Sequence, residues 1–409
     1  MFLTKLALKN LVRHRHRTLI TACIIAVAIF FYLLLDSLIG GMTEMSYDTL
    51  IDYETGHLQI VSRNYWEDQE KLPLKDLLPL THLATLPKIE GEQGRSPELN
   101  FPAQLNNGIN ELPVIGKGII PEELQRVFAL EDQLVAGSMF AQGEYRAVMG
   151  RRLADLLDLQ VGDYITLLIR DKNETFNTIE AEIAGLVHTI NPNVNQNVVY
   201  LPLDIAQQAL AVDDEVSKVI IRLGSKDRAF SAARELKAKL QGTSEIDVYP
   251  WNELEAVTVA SAKNAGIQIM TTIILFIAAI AVINTVILAA LERMGEIGMM
   301  KSMGLQVKEI VYLFVVESMG IGVLGGLIGI LLGFIGVGLL TRFGIDWSAM
   351  MDVEMASFGI PVLGRMYGVW NPQAFAMVFG FGVIVSLLAS IVPAYWAADK
   401  DPIEAIYHR

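Results

Sequence analysis

Residues 292–309 read ERMGEIGMMKSMGLQVKE and form one of the few charged stretches in the second half of the chain. They lie between two apolar spans, 267–291 and 311–340. Acids, bases and methionines are interleaved, and Gly298 and Gly304 interrupt the stretch. This pattern predicts a short amphipathic helix at a membrane face, closed by a glycine near its C-terminal end. A solvated loop between two spans is the alternative, but flexible methionines favour a docking surface.

The motif E-R-x-x-E-I-G-x-x-K-x-x-G, followed by a glycine-rich span, resembles the signature of the FtsX/MacB-type permeases of ABC transporters. The matching residues are Glu292, Arg293, Glu296, Ile297, Gly298, Lys301 and Gly304. In that family the stretch is the coupling helix, which docks into a groove on a separate ATPase subunit. The resemblance therefore implies that these seven residues couple the chain to an ATPase. The end of the chain also matches, with S-x-x-x-S-x-x-P-A-x-x-A followed by D-P-x-E-A-I.

The composition indicates membrane spans together with a sizeable soluble domain. Of the 409 residues, 52% are hydrophobic and 19% are charged, which is too apolar for an ordinary soluble protein. Residues 43–262 hold 34 acids and 19 bases, and an acidic domain of this kind argues against nucleic acid as a partner. Cys23 is the single cysteine and the six histidines are scattered, so we expect no disulfide and no metal site.

The chain in order predicts a membrane α-helical bundle of four transmembrane helices plus an extracytoplasmic α+β domain of the MacB periplasmic-core type. The basic, acid-free residues 1–17 place the N-terminus in the cytoplasm by the positive-inside rule. The C-terminus then also lies inside. The predicted segments are a cytoplasmic amphipathic helix (1–17), TM1 (18–39), the extracytoplasmic domain with a helical stalk (40–266), TM2 (267–291), the coupling helix (292–310), TM3 (311–340), an outer connection (341–373), TM4 (374–398) and a cytoplasmic tail (399–409).

Within the soluble domain, alternating apolar residues predict strands and a wider period predicts helices. The expected strands are 57–62, 147–150, 164–169, 179–187, 197–201, 216–223 and 246–249, with helices at 151–159, 203–211 and 226–241. Residues 71–110 are rich in proline, glycine and asparagine and resist interpretation. The run 216–249 suggests an α+β subdomain that a β-rich insertion splits in the sequence.

The third span is crowded with glycine, and Gly325, Gly329 and Gly333 repeat every four residues along one face. Such a face lets another helix backbone approach closely. Packing on another span of the same chain and a dimer interface are both open readings. Glu317 lies in the same span, and we expect it near the interface or paired with a polar neighbour. Pro393 in the fourth span is expected to kink or end that helix.

Several catalytic motifs are absent, which argues against an enzyme. The chain has no G-x-x-x-x-G-K-[ST] loop, no G-x-S-x-G elbow and no H-E-x-x-H helix, and no residue is proposed as catalytic. We therefore expect ATP and magnesium to be bound by a partner ATPase rather than by this chain.

The resemblance implies a permease subunit that couples ATP hydrolysis by a separate chain to substrate movement outside the membrane, by mechanotransmission. The layout leans toward the lipoprotein-releasing LolC/LolE-like branch, in the bacterial inner membrane. A MacB-like exporter of drugs or peptides is one alternative, and an FtsX-like scaffold that regulates a cell-wall hydrolase is another. Expected partners are the ATPase, a second permease copy or a paralogue, membrane lipid, and lipoproteins or a periplasmic protein.

Overall fold

The structure is a computed structural model that describes residues 2–13, 15–81, 86–240, 246–346 and 365–399. The described residues form two compact units. One unit contains the chain up to Glu44 and the described residues from Lys263 onward, and it is helical. The other, Met45–Ala262, contains a large β-sheet. Most of the predicted outer connection and all but the first residue of the predicted tail lie outside the described residues.

Among the described residues, the helical unit contains four helices long and apolar enough to cross a membrane. Helices are numbered here in chain order. The helices of this unit are α1 (Phe2–Arg13), α2 (Arg15–Leu50), α9 (Glu255–Leu291), α10 (Met294–Ser302), α11 (Val307–Phe343) and α12 (Pro372–Asp399). The end of α2, from Met45, and the start of α9, up to Ala262, belong to the other unit. The candidate spans are Thr18–Thr55, Asn264–Leu288, Val307–Phe343 and Pro372–Asp399. The predicted fold class, four transmembrane helices plus an α+β domain, is confirmed. Pro393 does not end α12, because the helix continues to Asp399; of the two effects expected of this proline, a kink or an end, the structure excludes the end.

The glycine face of α11 packs against α2 of the same chain. A Cβ atom added at Gly325 would lie 2.9 Å from Ile25 Cβ, and one at Gly329 would lie 2.8 Å from Ile29 Cβ. One at Gly333 would overlap the side chain of Leu33. These separations are shorter than real side-chain contacts, so glycine is what allows the two helices to meet this closely. The structure therefore supports the first of the two readings, and it leaves no free surface for a dimer at these three glycines.

We expect Gly329→Ala to destabilise the helical unit. The new methyl group would also lie 3.0 Å from the backbone oxygen of Ala26, which cannot rotate away. Overpacking of this kind typically costs about 1–3 kcal/mol, and the midpoint of thermal unfolding in detergent should fall by several degrees. Gly380→Ala in α12 is the matched control, because a Cβ there meets no atom within 4 Å. Equal midpoints for the two variants would contradict this packing.

The other unit is an α+β domain around a ten-stranded sheet of order β12-β1-β11-β3-β4-β9-β6-β8-β5, with β7 paired to β3 and β8. The strands of this sheet are β1 (Leu58–Ser62), β3 (Glu92–Asn106), β4 (Glu111–Ile119), β5 (Leu134–Gly137), β6 (Arg146–Gly150), β7 (Tyr164–Arg170), β8 (Phe176–Val187), β9 (Val198–Pro202), β11 (Lys218–Leu223) and β12 (Ile246–Pro250). Two short pairs, β2 (Leu78–Pro79) with β10 (Glu215–Val216) and β13 (Ile345–Asp346) with β14 (Arg365–Met366), stand apart, the latter in the helical unit. The helices are α3 (Arg63–Glu67), α4 (Pro121–Phe128), α5 (Arg151–Leu156), α6 (Pro192–Asn197), α7 (Leu203–Leu210) and α8 (Ala229–Lys239).

Both faces of this sheet are buried at the central strands β6, β9 and β11. Successive residues of β11 enter different apolar clusters, since Val219 and Ile221 join one cluster and Ile220 joins the other. Apolar residues of α5, α7 and α8 belong to the first cluster, and those of α4 to the second. This double burial explains why β6, β9 and β11 read as nearly continuous apolar runs. The N-terminal strand β1 lies between β11 and β12, so the predicted split α+β subdomain is present.

A buried ion-pair cluster joins three neighbouring strands. Glu98 of β3 is fully buried, and its carboxylate lies 3.2 Å from the ammonium of Lys117 on β4 and 3.4 Å from that of Lys218 on β11. Burial by itself would raise the pKa of Glu98, but the two ammonium groups outweigh it and hold that pKa below its ordinary value. Burial lowers the pKa of Lys218, whereas Glu98 keeps the pKa of Lys117 above its ordinary value despite burial. One carboxylate is thus shared by a buried lysine, Lys117, and a partly buried one, Lys218.

Candidate functional site

The candidate site is α10, which carries most of the sequence motif. One side of this helix is buried in the chain's own helical unit. Met294 and Ile297 are 5% and 1% exposed and pack with Ile310 and Phe314 of α11 and with three alanines near the end of α12. Those alanines are Ala394, Ala397 and Ala398. This contact stabilises the helix and fixes its position, because an isolated helix of nine residues would not be stable in water.

An ion-pair network anchors the N-terminal end of α10. Arg293 is 4% exposed and stands immediately before the helix. Its guanidinium donates a hydrogen bond from Nη1 to Glu317 Oε1 of α11 at 2.5 Å, and its Nε lies 3.0 Å from Glu296 Oε2. The guanidinium also lies over the ring of Phe314, 5.4 Å from its centroid. The expected polar partner of Glu317 is therefore Arg293.

The C-terminal end of α10 is closed by a glycine, as the sequence indicated. Gly304 has a φ of +95°, a left-handed conformation that glycine adopts without steric cost. The Gly304 N–H donates to the Lys301 carbonyl and the Leu305 N–H donates to the Met300 carbonyl, the two hydrogen bonds of a Schellman motif. A capping box between Gln306 and Glu309 then starts α11. The turn between the two helices is thus well defined.

The opposite side of α10 is open. Met299 and Met303 are 53% and 73% exposed, and they lie four residues apart on one helical face. Glu292 and Ser302, in the same stretch of sequence, are also exposed. We call these four residues the methionine face. Apolar side chains therefore occur on both sides of α10, so the helix is not simply amphipathic: one apolar side is buried and the other faces outward.

The seven motif residues divide into two groups. Arg293, Ile297 and Gly298 are buried within the chain's own fold. Glu292 and Gly304 are exposed, whereas Glu296 and Lys301 are partly exposed, and Lys301 Nζ donates to the Asp399 carbonyl at 3.2 Å. The buried residues can hold α10 in place, whereas the exposed ones can meet another protein. The seven-residue motif does not include Met299 and Met303, although the methionines of this stretch already favoured a docking surface on sequence grounds.

Among the residues that the structure describes, no group of three or more histidine, cysteine or acidic side chains is placed to hold a metal ion.

Comparisons with known proteins agree with this architecture. The family description "MacB-like periplasmic core domain" matches residues 18–239, and "FtsX-like permease C-terminal" matches residues 269–402. The "lipoprotein-releasing system transmembrane protein LolC" of Xylella fastidiosa is 22% identical over 76% of this chain and 77% of its own. LolE of the same kind of system in Haemophilus influenzae is 26% identical over 84% and 81%. The "macrolide export ATP-binding/permease protein MacB 2" of Aeromonas hydrophila is 23% identical over 98% of this chain but 60% of its own.

Four candidate spanning helices among the described residues, a large α+β domain and the two family matches together show a transmembrane permease subunit. The chain belongs to the FtsX-like and MacB-like family of ABC transporter permeases. Its four apolar helices and its relatives indicate an inner-membrane protein.

Proposed function

We propose that this chain is the non-catalytic permease subunit of an ABC transporter and that its methionine face docks on a separate ATPase subunit, which binds ATP and magnesium. The observation that supports this role is the exposure of Met299 and Met303 on a helix whose other side is firmly packed. Exposed, flexible thioethers on a rigidly held element suit a protein contact. Closure of the ATPase subunits would then push on α10 and move the helices packed against it.

We propose lipoprotein release from the inner membrane as the work that this movement drives. The relatives named as lipoprotein-releasing proteins support the choice, since the alignments cover most of both chains. Export of drugs or peptides is the second candidate, because a MacB relative aligns with nearly the whole of this chain. Four spans make half a transporter by the family's pattern, so we expect a second copy or a paralogue, whose interface lies away from Gly325, Gly329 and Gly333.

Depletion of the protein in its own host separates these functions. Lipoprotein release predicts that lipoproteins accumulate in the inner membrane, whereas export predicts sensitivity to the exported drug or peptide with normal lipoprotein sorting. Impaired cleavage of septal cell wall, with neither of the other effects, would instead support the scaffold alternative. Normal lipoprotein distribution after depletion would contradict the lipoprotein proposal.

The proposal requires α10 to face the cytoplasm. In a Cys23→Ala background, Ser302→Cys should react with a membrane-impermeant maleimide only after the cytoplasmic side is opened, because Ser302 is exposed on the methionine face. Thr178→Cys, exposed on β8 of the α+β domain, is the control and should react from outside in intact spheroplasts. Labelling of Ser302→Cys from outside alone would reverse the orientation and exclude docking on a cytoplasmic ATPase.

A further inference from the structure

The docking role of α10 does not by itself explain the Arg293–Glu317 ion pair, which connects the start of α10 to α11. Both side chains are almost completely buried, at 4% and 3% exposed. Neither can therefore touch a partner protein in this conformation. A buried ion pair is also an expensive way to fix a helix, because well-packed apolar side chains are often at least as stabilising. Arg293 is itself a motif residue, so the pair calls for a role other than contact with the ATPase.

Residues from all four candidate spanning helices lie around the pair. A small cavity of about 20 Å³ beside it is lined by Thr21 of α2, Val286 of α9, Ser318 of α11 and Ser390 of α12, together with the pair itself, Phe314 and Ile321. The hydroxyl residues Thr21 and Ser390 are 2% exposed and Ser318 is 8% exposed. A buried charged pair is unusual inside membrane-spanning helices. The pair, which stands just before α10, thus borders a cavity that residues of all four candidate spans line.

Arginine suits such a junction. Its planar guanidinium reaches Glu296 of α10 from Nε and Glu317 of α11 from Nη1, and its face lies over Phe314. A lysine has a single donor group and could not hold these three contacts in fixed geometry. Because hydrogen-bonded ion pairs are directional, a rotation of α10 must either pull α11 with it or break the contact.

We propose that the Arg293–Glu317 pair is the joint that transmits movement of α10 to the spanning helices, and that Arg293 and Glu317 are positioning residues rather than ATPase-contacting ones. This inference rests on the proposed docking of α10 on an ATPase. A joint differs from a structural contact in one testable respect. An apolar replacement can restore stability, whereas it cannot restore directional coupling.

The test uses the full-length chain reconstituted in proteoliposomes with the ATPase subunit that co-purifies with it. Two quantities are measured, the Kd of the ATPase subunit and the ratio of its hydrolysis rate with and without the permease. The first variant is the double replacement Arg293→Met/Glu317→Leu, which removes both charges at similar volume and should remain folded. We expect a Kd within about twofold of the wild-type value, since neither residue is exposed, and a stimulation ratio at least about tenfold lower.

The second variant, Arg293→Lys, keeps the charge and should fold even if the double variant does not. We expect it to leave the Kd unchanged and to lower the stimulation ratio about threefold or more. Wild-type stimulation in every variant that folds would overturn the joint and leave the docking proposal intact. Failure of the wild-type chain to bind or stimulate the ATPase would instead overturn the docking proposal itself. The two ideas therefore fail in different ways.

Discussion

Replacement of both Met299 and Met303 by aspartate is expected to weaken binding of the ATPase subunit by about a hundredfold or more. The two thioethers are the large exposed apolar side chains of the methionine face. If a partner buries them, two carboxylates in their place would have to lose water without gaining a counter-ion. A hundredfold loss corresponds to about 2.7 kcal/mol, which is modest for two buried charges. Titration of the ATPase subunit onto detergent-purified permease measures the effect.

The control for this prediction is the pair Met299→Leu/Met303→Leu, which keeps the apolar surface and should bind within a fewfold of wild type. A second control is Ile109→Asp in the β3–β4 hairpin of the α+β domain, where the side chain is 88% exposed. That variant should bind the ATPase normally. Undiminished binding by the aspartate pair, with the chain shown to be folded, would mean that the ATPase does not bind the methionine face.

Removal of the Glu98 carboxylate is expected to destabilise the α+β domain by about 3–5 kcal/mol, the usual cost of leaving one partner of a buried ion pair uncompensated. In Glu98→Ala, Lys117 and Lys218 would face each other with no carboxylate between them. Much of a typical domain's stability would be lost. Limited proteolysis of the full-length protein in detergent should show the domain cleaved at a far lower temperature than in the wild type.

Two controls make the Glu98 prediction specific. Glu180→Ala removes an exposed carboxylate from β8 and should change little. Glu98→Leu combined with Lys117→Met removes one charge of each sign and leaves Lys218, the more exposed lysine, so part of the stability should return.

Because the pKa of Glu98 lies below its ordinary value, the carboxylate stabilises the fold at neutral pH and the contribution is lost as pH falls below about 4.5. A domain equally stable in Glu98→Ala and wild type would refute the role of the cluster.

The sequence predicted the elements whose pattern is local. Four long apolar runs became four candidate spans, and the stretch 146–223 supplied β6, β7, β8, β9 and β11 close to their expected places. The end of α10 at Gly304 was equally predictable, because this type of helix ending needs a residue in the left-handed conformation, which glycine adopts readily. In each case the signal lies within a few neighbouring residues.

The features that could not be predicted from the sequence depend on pairing between distant segments. β3 contains Gly94, Pro97 and Pro102, which argue against a strand, yet its pairing with β4, β7 and β11 overrides that preference. The Glu98 cluster exists only through this pairing, since Lys218 lies opposite Glu98 across β3 and β11. A single charged residue within an apolar strand, such as Lys117 in VIGKGII, was the available clue.

The glycine face of α11, in the helical unit, is another feature that the sequence predicts only in part. Spacing alone indicated a close helix contact, but it could not tell whether the partner was α2 or a second chain. Likewise, the motif marked Arg293 and Ile297 without distinguishing buried residues from exposed ones. That distinction comes from the packing of α10 on α11 and α12.

The most direct test of the account is photo-crosslinking from the methionine face in the assembled transporter. A benzoylphenylalanine residue in place of Met303 should form a light-dependent adduct with the ATPase subunit, because this side chain is the most exposed on the face. The same residue in place of Ile109 should form none. Loss of the adduct at Met303 in a complex that still contains the ATPase subunit, or an equal adduct at Ile109, would contradict the claim that α10 carries the ATPase contact.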